Sequence, residues 1–138
     1  MLLDTRFLLD VMDGRPEAVT VAAAIDAEGD TLRIPAPVLY ELWVGAARAG
    51  GPASDRQQVT ELETAYEVVG FELADARTAG TLQSVLRRSG KALGPIDVQV
   101  AGMALARSEG VVTGDSALAG VGHGVAARTY RRKRRGRP

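Results

Sequence analysis

The chain has 138 residues, enough for one domain, with 46% hydrophobic and 25% charged residues, as in ordinary globular proteins. It has no cysteine, which excludes a disulfide framework, a thiolate metal site and a cysteine nucleophile. The formal net charge of zero hides a split: residues 131–138, RRKRRGRP, hold six of the 17 basic groups, leaving 11 basic against 17 acidic in the first 130 residues, a net of −6.

Alternating strand and helix signals run along the chain. Leu2-Leu3 predict a short buried strand ending at Asp4, after which Phe7, Leu8 and Val11 recur at helical spacing. Asp13-Gly14-Arg15-Pro16 reads as a turn, Glu17 to Glu28 as a second helix and Thr31 to Ile34 as a second strand. Pro37 suits the first turn of a third helix running to about Arg48, and Gly50-Gly51-Pro52 breaks it. Ser54 is the expected cap of a fourth helix ending near Ala65. A strand over Tyr66–Phe71, a helix over Ala74–Arg88 and a sixth helix over Pro95–Ser108 follow. Gly110–Thr113 and Val125–Thr129 read as the last strands.

Such alternation predicts a three-layer α/β/α sandwich around a central, mostly parallel sheet. The expected organisation is a domain over residues 1–130 and a basic tail over 131–138. No apolar run approaches the roughly 18 residues that span a bilayer, and MLLD lacks the basic leader of a signal peptide. The expectation is a cytoplasmic protein without membrane contact.

Four acids fall where strands end and helices begin. Asp4 closes the first strand, Glu41 lies early in the helix after the second, Asp97 opens the sixth helix, and Asp115 follows the strand holding Val111 and Val112. Ligands of open parallel sheets gather beyond the carboxyl ends of the strands, so these positions can converge. Asp97 shares its helical face with Ala101, Ala104 and Leu105, a core face. Asp4, Asp97 and Asp115 taken singly also fit a helix cap or a favourable first-turn charge, and Glu41 alone also fits a half-exposed helix acid.

Energetics sharpen the alternatives. Two unit charges about 5 Å apart repel by roughly 3 kcal/mol at an effective dielectric of 20, and four in mutual contact by on the order of 15–20 kcal/mol. That is comparable to a whole domain's stability. Either the acids do not cluster, or some are protonated, or a cation lies among them. All-oxygen ligation without His or Cys suits a hard ion such as Mg2+ or Mn2+.

The segments MLLDTRFLLD, VLYEL, GPIDVQVAGMALA and GVVTGD, in this order and spacing over about residues 1–130, resemble the PIN-domain ribonucleases, and within them the VapC toxins of toxin–antitoxin pairs. The resemblance implies a metal-dependent endoribonuclease in which Asp4, Glu41, Asp97 and Asp115 are the catalytic residues and hold one or two Mg2+ or Mn2+ ions. It also implies an RNA substrate, a homodimer and a cognate antitoxin protein. Thr5 and Thr113 match common neighbours that orient the carboxylates. Arg6 departs from the small polar residue of many relatives and is a candidate phosphate contact. Arg87, Arg88 and Lys91 are further basic candidates around the groove, although a solvated helix end also accounts for them. A non-catalytic module of the same fold, binding RNA or protein, is the competing expectation.

Overall fold

The structure, a computed structural model, describes residues 1–48 and 50–130. The expected tail, 131–138, lies outside the described residues. Among the described residues, five short strands form one sheet: β1 (Leu2–Leu3), β2 (Arg33–Pro35), β3 (Glu67–Val69), β4 (Val111–Thr113) and β5 (Ala127–Thr129). Their order is β3-β2-β1-β4-β5 and every pairing is parallel. Seven helices among the described residues connect them: α1 (Thr5–Met12), α2 (Pro16–Ala27), α3 (Ala36–Ala46), α4 (Ala53–Ala65), α5 (Leu73–Arg88), α6 (Pro95–Arg107) and α7 (Ser116–Ala119).

Strand β1 lies at the centre, and Leu2, Leu3, Val111 and Val112 are wholly buried, as a parallel sheet covered on both faces requires. The chain moves from β1 outward through β2 to β3, then returns to β4 on the other side of β1. Helices α1–α4 belong to the outward connections from β1 to β3, and α5 and α6, packed on each other, to the return from β3 to β4. The strand order reverses between β1 and β4, and a crevice opens there beyond their carboxyl ends. Helix α1 buries Phe7 and Leu8, α3 buries Val38 and Leu42, and α6 buries Val100, Ala101 and Met103. Helices α5 and α6 pack backbone to backbone: a Cβ on Gly102 would lie 2.5 Å from the Ala79 Cα.

The expected elements are present with shifted edges. β2 starts at Arg33 rather than Thr31, because pairing with β1 begins with Arg33 opposite Leu2. β3 is shorter than Tyr66–Phe71 and forms an exposed edge of the sheet. Pro52, not Ser54, occupies the N-cap of α4. The four-residue α7 has no counterpart in the sequence-based prediction. Among the described residues, no helix is long and apolar enough to cross a membrane.

Candidate active site

Asp4 leaves β1 with its backbone N–H donating to the Val112 carbonyl at 3.2 Å, so its side chain emerges between the two central strands. Its Oδ1 accepts from the Phe7 N–H at 2.7 Å and caps α1. Its Oδ2 accepts a short hydrogen bond from the Thr113 hydroxyl. The capping and clustering alternatives are therefore both true of Asp4: one oxygen serves the helix and the other faces β4. Thr113 in turn accepts the Asp115 backbone N–H at 2.8 Å. Asp115 Oδ1 accepts from the Ala117 N–H at 2.8 Å and caps α7.

Asp97 stands in the first turn of α6, half-buried and facing the carboxyl group of Asp115. Burial, then the charges of Asp115 and Glu41, raise its pKa to about 6. Asp4 is also raised to about 6: burial outweighs the hydrogen bonds from Thr113 and Phe7, and the charges of Asp97 and Asp115 add to it. Three acids from the ends of β1 and β4 and the start of α6 thus feel one another at the strand-order reversal. Glu41, exposed on α3, reaches them through Asp97.

These groups border a cleft of about 610 Å³ lined by Thr5, Arg6, Glu41, Arg48, Asp97 and Asp115 among others. Thr5 Oγ1 is buried there without a hydrogen-bond partner. Among the described residues, no three or more His, Cys, Asp or Glu side chains are posed as a finished metal cage. The donor chemistry nonetheless fits a hard dication. It is all oxygen, carries mutual repulsion that a cation relieves, and includes an unsatisfied hydroxyl.

Arg6 lines the cleft and its Nη1 lies 3.9 Å from Asp10 Oδ1. Arg87, Arg88 and Lys91, exposed at the far end of α5, are not among the cleft-lining residues; Arg48 is the second arginine there. Asp10 was missed by sequence reasoning. It is 1% exposed and takes a 2.6 Å hydrogen bond from the Tyr130 hydroxyl, with Arg15 Nε at 3.5 Å. Its signal was present: it falls three positions after Phe7, on the buried face of α1. Tyr130 carried no such signal.

A family model described as PIN domain matches residues 1–124. The tRNA(fMet)-specific endonuclease VapC of Shigella flexneri is 24% identical over 115 residues, which is 83% of this chain and 86% of that protein. Among solved structures, VapBC2 from Rickettsia felis bound to a DNA fragment from their promoter gives a TM-score of 0.83 at 18% identity, over 94% of this chain and 98% of that one. DNA-bound VapBC from Salmonella typhimurium gives 0.81 at 24% identity, over 93% and 96%. FitAcB from Neisseria gonorrhoeae gives 0.73 at 21% identity, over 91% and 94%.

Proposed function

We propose that this chain, which belongs to the PIN-domain family, is a metal-dependent endoribonuclease that hydrolyses RNA phosphodiester bonds as the toxin of a toxin–antitoxin pair. The observation that carries the proposal is the acid group at the strand-order reversal. Asp4 and Asp97 are held near pKa 6 by burial and by neighbouring carboxylates. A protein that only binds RNA gains nothing from concentrating negative charge where a polyanion must approach, whereas a nuclease that recruits a cation does.

Asp4, Glu41, Asp97 and Asp115 would hold the ion, Mg2+ or Mn2+, one or two. Bound there, it supplies counter-charge for the phosphate and a lower pKa for the attacking water. The protein's own contributions follow from the geometry. The Thr113 hydroxyl fixes Asp4 Oδ2, and the Phe7 N–H fixes Oδ1, so the carboxylate cannot rotate away. The Asp115 backbone is tied to the same threonine, which couples the two acids' positions. Asp97, the least tethered of the three buried-side acids, is suited to take up or release a proton as substrate arrives. The Thr5 hydroxyl is free to bind a water, and Arg6 stands on the cleft wall as a phosphate contact.

VapBC is described as a family of toxin–antitoxin systems, and a cognate antitoxin is proposed here by likeness to its solved structures. A homodimer is proposed as well; Tyr40 and Val44 expose apolar surface on α3. A cytoplasmic location is proposed together with the RNA substrate. The test is cleavage of labelled RNA in Mg2+ or Mn2+ against EDTA, with Asp97→Asn beside the native chain. Metal-dependent cleavage lost in the variant is the expected result. RNA binding without cleavage in any metal would instead establish the non-catalytic module.

A further inference from the structure

The acid group occupies one end of the cleft. The walls continue as two helical stripes: Thr5, Leu9 and Met12 on α1, and Glu41, Gly45 and Arg48 on and just beyond α3. Each set follows i, i+4, i+7 spacing and so lies along one helix face. Seven positions at about 1.5 Å apiece carry the cleft about 10 Å away from Glu41. That end is bordered by Arg48 and by Asp55 and Gln58 of α4. The cleft volume of about 610 Å³ is larger than a dication and its water shell fill, at about 30 Å³ per water. The far arm therefore has room for a part of the substrate other than the reacting phosphate.

Arg48 is held unlike a solvated arginine. Its Nη1 donates to the Gly45 carbonyl at 3.1 Å, and its Nη2 lies 3.2 Å from Asp55 Oδ2. A Cβ on Gly51 would lie 3.1 Å from the Arg48 Cγ and 3.6 Å from its Nε, so the stem runs against the chain at Gly51. Both nitrogens bond in the guanidinium plane while the side chain stays 60% exposed, so the edge is occupied and a flat face is left bare. Asp55 balances the charge of Arg48, and Asp13 also lines this arm, which disfavours a phosphate there. An uncharged flat group suits it. Gly45, in the middle of the α3 stripe, leaves the space above the helix open: a Cβ there would meet nothing within 4 Å among the described residues. Leu9 and Leu42 supply apolar surface beside it.

We propose that this arm is a base-specificity subsite, in which the unpaired base next to the scissile phosphate stacks on the Arg48 guanidinium over Gly45 and Gln58 reads its edge. A nucleobase is the flat, uncharged part of RNA, and single strands are recognised by splaying bases onto arginine planes and bonding their edges. Gln58 lies one turn along α4 from Asp55 and carries both amide donors and an acceptor, the complement of a base edge. Division of labour follows. The carboxylates act on the phosphate, and the Arg48 arm decides which nucleotide brings its phosphate to them. RNA is named as the occupant on the strength of the ribonuclease activity proposed above.

The test compares intact and abasic RNA. The bond that the full-length chain cuts in a random-sequence RNA pool with Mn2+ is mapped, and RNAs abasic on either side of that bond are then cleaved. At one of the two positions, loss of the base should lower kcat/KM about tenfold, the worth of one stacked base. Arg48→Ala should lose about tenfold on intact RNA and almost nothing on the abasic one. Arg48→Lys keeps the charge facing Asp55 without the plane, and should behave as the alanine variant does. Gly45→Leu fills the arm and should also erase the ratio, with a melting temperature no lower than that of the native chain. Gln58→Ala should narrow the preference among the four bases at that position several-fold. Anisotropy of a labelled single-stranded RNA in Ca2+, intact against centrally abasic, repeats the comparison without cleavage. An intact-to-abasic ratio that is the same in the native chain and Arg48→Ala would overturn the proposal. So would an equal loss on both RNAs, which would make Arg48 a phosphate contact or a structural residue. Unchanged handling of every RNA by Arg48→Ala, together with lost affinity for a basic peptide, would overturn it in favour of a protein partner. An Arg48-dependent ratio in binding, in a chain that cleaves no RNA, would leave the subsite standing while removing the nuclease activity.

Discussion

Thr113 and Asp4 lie 109 positions apart in sequence and share a buried hydrogen bond across the two central strands. The same hydroxyl oxygen accepts the Asp115 N–H, so one side chain sets the spacing between acids on β1 and beyond β4. Thr113 is wholly buried, and valine has nearly its shape without its hydroxyl. Thr113→Val should therefore leave the fold intact at a cost of about 1–3 kcal/mol, from an Asp4 oxygen and an Asp115 N–H left without partners. The functional loss should be larger. RNA cleavage is expected to fall about 10- to 100-fold with a higher Mg2+ requirement, as when any partner that orients a ligating carboxylate is removed. A Mg2+ titration of cleavage checks this; an unchanged half-saturating concentration would remove Thr113 from any orienting role.

Asp97→Asn separates activity from stability. The substitution preserves shape and removes one charge facing Asp115 and Glu41. Cleavage should drop by at least about 100-fold. Relief of like-charge repulsion, discounted for solvent screening, is worth on the order of 1 kcal/mol. Measured in EDTA, the melting temperature should rise by about 3–5 °C. Saturating Mg2+ should stabilise the native chain more than the variant, because only the native chain has the full charge to bind it. A variant that melts lower in EDTA and responds equally to Mg2+ would contradict the charge-cluster account.

The pH dependence has a definite sign. Asp4 and Asp97 titrate near 6 in the folded protein against 3.8 for a free carboxyl. Between these values the folded state holds protons that the unfolded chain releases. The resulting stabilisation is complete below about pH 3.8 and lost as pH rises through about 6. Because the two acids interact, their protons leave in steps that belong to the pair. In EDTA, the melting temperature of the native chain should gain on that of an Asp4→Asn, Asp97→Asn double variant as pH falls from about 7.5 to about 4.5. Added Mg2+ should shrink that gain by competing with protons. Parallel melting curves for the two proteins would refute the shifted titrations.

The sites of the acids were legible because each is marked by a local event. Asp4 ends an apolar pair, Asp97 follows a proline on an apolar helical face, and Asp115 follows a β-branched run. Parallel topology followed from alternation, and topology alone sends strand ends to one crevice. What escaped was non-local or too short for a period. Helix α7 spans four residues, too few to show a helical period. The bond from Tyr130 to Asp10 joins positions 120 apart, beyond any window of pattern. Helical spacing gives a face but not which end of the sheet a helix end reaches, and Arg87, Arg88 and Lys91 are not among the residues that line the cleft. Arg48 lines the cleft instead, on the segment between α3 and α4.

Gly114 offers a test of how tightly the acid-bearing turn is held. Its backbone is not left-handed, so alanine costs nothing in conformation; the cost is space. The new methyl would stand 2.8 Å from the Tyr130 Cζ and 3.1 Å from the Arg6 Cγ. Either the ring must swing out or the turn from Thr113 to Asp115 must move, and a shift of the turn displaces Asp115 from Asp97. Gly114→Ala should thus reduce cleavage by at least about tenfold, with a stability loss of about 1–3 kcal/mol from overpacking. Tyr130→Ala opens the space, so the double variant should cleave faster than Gly114→Ala alone even though it forfeits the bond to Asp10. Tyr130→Phe removes the hydroxyl but leaves Cζ in place, and should restore less. The coupling measured by this cycle is expected to exceed about 0.5 kcal/mol, the level at which independent sites simply add. Cleavage rates in the three Gly114→Ala backgrounds decide the matter: additive losses with no recovery would show that Tyr130 packs beside the turn without controlling it.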